Sequence, residues 1–380
     1  MISRLPRRFW ASAGAALIVA CSGPLACGGG GISGASRVTV YVSMPLRGPA
    51  GATGRDVVRG ARMALAAARG RAGRLRVRAV YLDDTSGRGA RARWSQAAVG
   101  ANARRATEDT SAIAYIGDFD SGASRTSESI TNAAHLLQVS PASTAVDLVR
   151  PFLGSDQLPP GELQGGERTF GRVIPDDQAQ AEAAARWVRK LGVRRVALVR
   201  DRSRFGGTLA DAFHEALRGA MVTRRGAELT YYAGVAADEP AFGGALPSRV
   251  MASDALLPPW SGARAAAATL ATSAAEGPAV LPASGRRFVG DYRRRYRRPP
   301  GRYAAYGYEA MAVVLDAVRR AGASGDQRQA VIDSFFGTHG RRSILGAYSI
   351  DPVGDTTLAR LGGYRIRGGR AVDPTLLRIR

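Results

Sequence analysis

Apolar positions along the chain follow two alternating rhythms. Short β-branched runs at residues 38–43, 75–82, 112–117, 137–140, 195–201 and 228–232 read as strands, and Ala-rich stretches at 54–69, 96–107, 178–191 and 208–219 carry helical spacing. Strand and helix taking turns is the pattern of a parallel sheet covered by helices, with right-handed crossovers. Several Pro and Gly break the rhythm at 146–171, and it resumes at Arg172-Val173-Ile174-Pro175-Asp176-Asp177, which reads as the crossing into a second lobe. No repeat of fixed period is present. A chain of 380 residues with 45% hydrophobic content suits two lobes, each burying its own core.

The first residues break from this pattern. Arg4, Arg7 and Arg8 precede an apolar run from Phe9 to Ala20, the layout of a signal peptide over residues 1–20 and too short for a permanent membrane span. The run ends Leu17-Ile18-Val19-Ala20-Cys21, which resembles the lipobox of bacterial lipoproteins, so Cys21 is expected to be lipidated. Cys27 is the rival site, although Pro24 fits that motif poorly, and an ordinary secretory signal with two incidental cysteines is the remaining alternative. Residues 21–36 then form the anchor and a Gly-rich tether. Both cysteines fall here, so the rest of the chain can hold no disulfide, thiol nucleophile or cysteine-ligated metal.

The formal charge of +23 raises nucleic acid as a partner. Lys190 is the only lysine, however, and the arginines are scattered from Arg4 to Arg380, so no nucleic acid is expected. The densest run, 286–298, reads as a solvated helix face ended by Pro299-Pro300-Gly301.

Enzyme signatures are poor. Gly-x-x-x-x-Gly-Lys does not occur, no Gly-x-Gly-x-x-Gly follows a strand, and His135, His214 and His339 lie in unrelated segments without metal-ligand or triad spacing. Asp120-Ser121-Gly122 resembles the aspartic-protease triplet, but that chemistry needs two such carboxylates and no second copy is present. No enzyme activity, cofactor or metal is expected. What remains is polar loops at strand ends, where open α/β sheets bind ligands. Asp118-Phe119-Asp120-Ser121 and Ser140-Pro141-Ala142-Ser143-Thr144 gather hydroxyls and amides suited to a carboxylate. Equally, Ser121 or Thr144 could serve only as a helix cap.

Over most of its length the sequence resembles type I periplasmic solute-binding proteins, specifically the leucine/isoleucine/valine-binding family of branched-chain amino-acid ABC transporters. The residues that carry this are Pro45-Leu46-Arg47-Gly48-Pro49-Ala50 with Gly54, Asp83-Asp84-Thr85, Val139 to Thr144, Tyr306-Gly307-Tyr308-Glu309-Ala310-Met311 and Leu345-Gly346-Ala347-Tyr348-Ser349-Ile350-Asp351. The resemblance implies an α/β fold of two Rossmann-like lobes joined by three crossing hinge strands near Gly171, Gly277 and Phe336. Residues 37–170 and 278–335 would form the N-terminal lobe, and 171–277 with 336–380 the C-terminal lobe.

By the same resemblance, Ser121 and Thr144, with Ser143 beside them, hold a ligand carboxylate, Asp254 takes the ammonium, and Phe205 stands as a wall where the family has tyrosine. One departure concerns the stretch between Tyr231-Tyr232-Ala233-Gly234 and Arg249 to Asp254, which is shorter than the family pattern, so the second lobe is expected to be curtailed. The implied function is an extracytoplasmic, lipid-anchored monomer on the outer face of the cytoplasmic membrane. It would capture an amino acid or small carboxylate for ABC permease subunits. A sensor of the same fold, or a degenerate non-binding copy, is the alternative.

Overall fold

Strand β1 (Arg37–Met44) has every residue after Arg37 buried, as a strand covered on both faces must. The computed structural model describes residues 37–150, 166–218, 221–223, 225–234, 249–254, 257, 270–367 and 370–379, so the signal-peptide and tether residues, with Cys21 and Cys27, lie outside it. After β1 come α1 (Gly51–Ala67), β2 (Arg71–Ala72), β3 (Leu75–Asp83), the small antiparallel pair β4 (Thr85–Ser86) and β5 (Arg93–Trp94), α2 (Gln96–Glu108), β6 (Ala112–Ile116), α3 (Ser121–Ala133), β7 (Leu137–Ser140) and β8 (Phe170–Arg172). They build a sheet of order β2-β3-β1-β6-β7-β8, parallel except at β2.

Val38, Val40 and Val42 point to one face of this sheet and join the core made with α1 and a later helix, α7 (Ala304–Arg320). Tyr41 and Tyr115 point to the other, toward Ala103 and Ala106 of α2. A Cβ on Gly60 would sit 1.9 Å from the Ala304 carbonyl oxygen, and one on Gly307 2.2 Å from that of Val57, so α1 and α7 meet backbone against backbone.

The second sheet follows α4 (Asp177–Lys190). Its strands are β9 (Arg195–Arg200), β10 (Met221–Val222), β11 (Leu229–Ala233), β12 (Val250–Ala252) and β13 (Leu270–Ser273), extended by the antiparallel β16 (Arg360–Arg367) and β17 (Arg370–Arg378) in the order β10-β9-β11-β12-β13-β16-β17. Its core joins Val196, Leu229 and Leu270 to α4 and α5 (Arg204–Ala216), with Phe213 stacked on Tyr231 at 3.7 Å between ring centroids. The stretch before β12 that reads as shortened, 235–248, lies outside the described residues. Helix α5 starts earlier than its apolar spacing suggested because the Ser203 hydroxyl accepts the Gly206 amide at 2.9 Å and caps it there.

The chain passes three times between the cores: after Arg172, between Ser273 and Leu281, and between Leu358 and Leu361. The third crossing comes later than the expected position near Phe336. After α6 (Ala283–Tyr296), α7 and α8 (Arg328–Phe336), the hairpin β14 (Arg341–Ser343) and β15 (Gly346–Tyr348) stays on the first core. There Glu309 of α7 holds Arg341 Nε at 2.6 Å and the Tyr348 hydroxyl at 2.8 Å.

Buried ions tie the crossings together. Arg172 Nε meets Asp355 Oδ1 at 2.5 Å, and Arg360 Nη2 meets Glu276 Oε2 at 2.9 Å. Both sheets belong to one compact unit, residues 35–380. Among the described residues no helix is long and apolar enough to cross a membrane.

Candidate functional site

The carboxyl ends of β6 and β7 release two loops toward the second sheet. Ser121 opens α3, and its hydroxyl oxygen accepts the backbone amides of Thr144 and Ala145, both at 3.2 Å. It therefore clamps the two loops together while its own proton stays available to an acceptor in the cleft. Ser143 sits behind this clamp with no exposure, its hydroxyl engaged with Ser124 Oγ at 2.7 Å and the Asp118 carbonyl at 3.1 Å. It supports the loop instead of facing the cleft, because a fully buried hydroxyl shared by two protein partners has nothing to offer a ligand.

Thr144 leads from this lobe to the other. Its carbonyl accepts the Asp177 amide at 2.9 Å, and its hydroxyl bonds the Asp177 carboxylate. Asp176 is the residue that caps α4, through the Ala179 amide at 2.8 Å. Asp177 is thus free to turn inward, where it is 2% exposed and its Oδ1 has no hydrogen-bond partner. Burial pushes its carboxyl up to about 7, against the Thr144 bond and helped by the nearby charge of Asp254.

Asp254, just beyond β12, is half-buried between the lobes. Oδ2 accepts the Tyr303 hydroxyl at 3.1 Å from the first lobe, and Oδ1 lies 3.4 Å from Gln180 Nε2 on α4. Burial raises its carboxyl, while Arg302, Tyr303 and Gln180 pull the other way. The Tyr303 ring in turn packs edge-on against Phe119, centroids 5.0 Å apart. Phe205, at the start of α5, is half-buried and packs in part against the second core. Neither Ser121 nor Thr144 acts as a side-chain cap of the helix that follows it.

Contacts thus run from Ser121 to the Thr144 amide, from Thr144 to Asp177 and, across the lobes, from Tyr303 to Asp254, while Ser143 is fully enclosed and Phe205 packs against a core. Asp177 and Tyr303 join the group without having been singled out in the sequence. The signal for Asp177 was present in the doublet Asp176-Asp177, since only one of two successive aspartates at a helix start can cap it. A further acidic group lies on the first lobe. Burial, and then the charges of Asp118 and Asp120, push Asp84 up to about 9; burial pushes Asp118, opposed by Ser127 and Tyr115, and Asp120 each up to about 6. Among the described residues no three His, Cys, Asp or Glu side chains are placed to hold a metal ion.

These raised carboxyls set the pH response of the unliganded fold. Unfolded aspartates titrate near 3.9, so between about pH 4 and pH 9 the folded state keeps protons that the unfolded chain releases. Stability from these groups is greatest at the acid end and is lost as pH rises through the folded values. Thermal midpoints of the unliganded protein are expected to fall from pH 5 to pH 8, with Asp84→Asn flattening the decline above pH 7. A midpoint that rises over that interval would contradict the assignment.

The family described as "Periplasmic binding protein" matches residues 38–238. Among solved structures, a leucine-binding protein of Thermotoga maritima shares 22% identity at a TM-score of 0.71, covering 90% of this chain and 99% of that one. A branched-chain amino-acid transporter substrate-binding protein of Streptococcus pneumoniae, in complex with isoleucine, shares 17% at a TM-score of 0.70, with 90% and 99% covered. A solute-binding protein of an ABC transporter of R. palustris, in complex with benzoate, shares 15% at 0.67, with 90% and 96% covered. At these identities the likeness shows the fold alone. No curated protein sequence matches the chain significantly.

Proposed function

Because the chain belongs to the periplasmic binding protein family, we propose that it is the extracytoplasmic solute-binding protein of an ABC importer and that it captures an amino acid in the cleft between its lobes. The observation that carries this reading is the meeting of unlike halves there. The first lobe offers the Ser121 hydroxyl to a carboxylate, and the second offers Asp254 and Asp177 to an ammonium group, with Tyr303 between them. A zwitterion laid across the cleft satisfies both halves, and closure about the three crossings shields it without any covalent step. In this reading the protein acts as a monomer, residues 1–20 are removed, and lipid at Cys21 holds it to the outer face of the membrane. Cys21→Ala should then release it into the soluble fraction.

Calorimetric titration of the mature chain with amino acids and small carboxylates tests the binding itself. A hydrogen bond to a charged group contributes about 1.5–3 kcal/mol, so Ser121→Ala is expected to weaken carboxylate-bearing ligands roughly tenfold or more. Equal affinity for an amino acid and its amide would remove the carboxylate from the reading.

A further inference from the structure

Acids gather at the facing strand ends of a chain that is otherwise basic. Against a formal +23, the carboxyl ends of β3 and β6 carry Asp84, Asp118 and Asp120, and the facing lobe adds Asp177 and Asp254. An ammonium group between Asp177 and Asp254 accounts for the second-lobe pair, but nothing in that arrangement uses the first-lobe group. Asp118 is already engaged, its oxygens receiving the Tyr115 hydroxyl at 3.0 Å and the Ser127 hydroxyl at 2.6 Å. Asp84 is not. It has no solvent exposure, neither of its carboxylate oxygens has a hydrogen-bond partner, and the charges that act on it most strongly are those of Asp118 and Asp120. Asp120 precedes α3 without capping it and is half-buried.

A buried carboxyl with neither oxygen bonded is costly and calls for a partner of complementary chemistry. The surroundings suit an organic cation better than a metal, since no described trio of acids is placed to hold an ion. Trp94 lies over the first turn of α3, its ring carbon 2.9 Å from where a Cβ on Gly122 would stand. Phe119 and Tyr303 form the aromatic bridge from there to Asp254. Aromatic faces flanked by acids shelter a methylene stem and attract the cation at its end.

We propose that the solute is an amino acid whose side chain ends in a second cationic group, of the lysine, ornithine or arginine kind, with that group held by Asp120 and Asp84 beside Trp94. The proposal rests on the solute-binding reading given above and names the class of ligand for the same cleft. It is tested by titrating the mature protein with L-lysine, L-ornithine, L-arginine, L-leucine and L-glutamate. A basic amino acid is expected to bind at least tenfold more tightly than leucine. Asp120→Asn and Asp84→Asn should each cut that preference at least tenfold while leaving leucine within about twofold, with unliganded melting curves confirming that both variants fold. Tighter binding of leucine or glutamate by the unaltered protein, or a preference for basic ligands that both variants keep, would overturn the proposal and leave solute binding standing. Failure of every amino acid to bind would overturn the solute-binding reading and this proposal with it.

Discussion

Asp254→Asn is expected to weaken amino-acid binding by about 100-fold or more while the unliganded protein keeps its melting temperature or gains slightly. The two effects have opposite signs because the carboxylate is unfavourable without a ligand and necessary with one. Burial already raises the Asp254 carboxyl, and an amide of the same shape can still accept the Tyr303 hydroxyl now 3.1 Å from Oδ2. Removing the charge therefore costs the empty cleft little. A bound ammonium group, in contrast, would be left desolvated beside a neutral amide, and breaking a buried ion pair from one side costs about 3–5 kcal/mol. At 1.4 kcal/mol per decade this is more than a hundredfold. Calorimetric titration and thermal unfolding, done on the same sample, separate the two effects. Affinity retained within about threefold would mean that Asp254 only positions Tyr303, and that Asp177 alone meets the ligand.

Arg172→Met should act on stability. Arg172 is the largest fully buried side chain among the described residues, and it ends β8 just before the chain first changes lobe. Nε reaches Asp355 near the third crossing at 2.5 Å, while Nη1 donates to the carbonyls of Ala145 at 2.7 Å and Ser143 at 3.3 Å in the loop that carries Thr144. Its removal strands two carbonyls and leaves Asp355 with the half-exposed Arg150, 2.9 Å away, and the more distant charge of Arg168. The expected loss is about 3–5 kcal/mol, which for a body of this size lowers the melting temperature by roughly 5 °C. Arg172→Lys keeps the charge but not the fork, and should fall between the two. A midpoint within about 2 °C of the unaltered protein for Arg172→Met would show that Arg150 and solvent satisfy Asp355 unaided.

Both substitutions concern residues whose importance was unequally visible in the sequence. Asp254 stood out through the resemblance, and it follows β12 within reach of the Tyr303 hydroxyl. Arg172 was passed over as one arginine among many, because a residue type scattered along a whole chain carries no local signal of burial. Phe205 and Ser143 show the reverse case. Their types and neighbours matched a binding role, but Phe205 packs in part against the second core, and the Ser143 hydroxyl is taken up by a network reaching Asp118.

The order of strands and helices and the parallel sheets were determined by the sequence alone. Periodicity of apolar residues is a local property, and each run needs only its own neighbours to declare the face that it buries. The strand at 137–140 and the helix at 96–107 accordingly match β7 and α2 closely. Tertiary structure alone decided where the third crossing falls, which of Asp176 and Asp177 turns inward, and that Tyr303 meets Asp254. Those outcomes depend on contacts between segments far apart in the chain, such as Glu309 holding Arg341 and Tyr348 on the first lobe. No local pattern encodes such a contact, because the free energy that selects it arises only once both segments have been packed and their polar groups must find partners in the same small space.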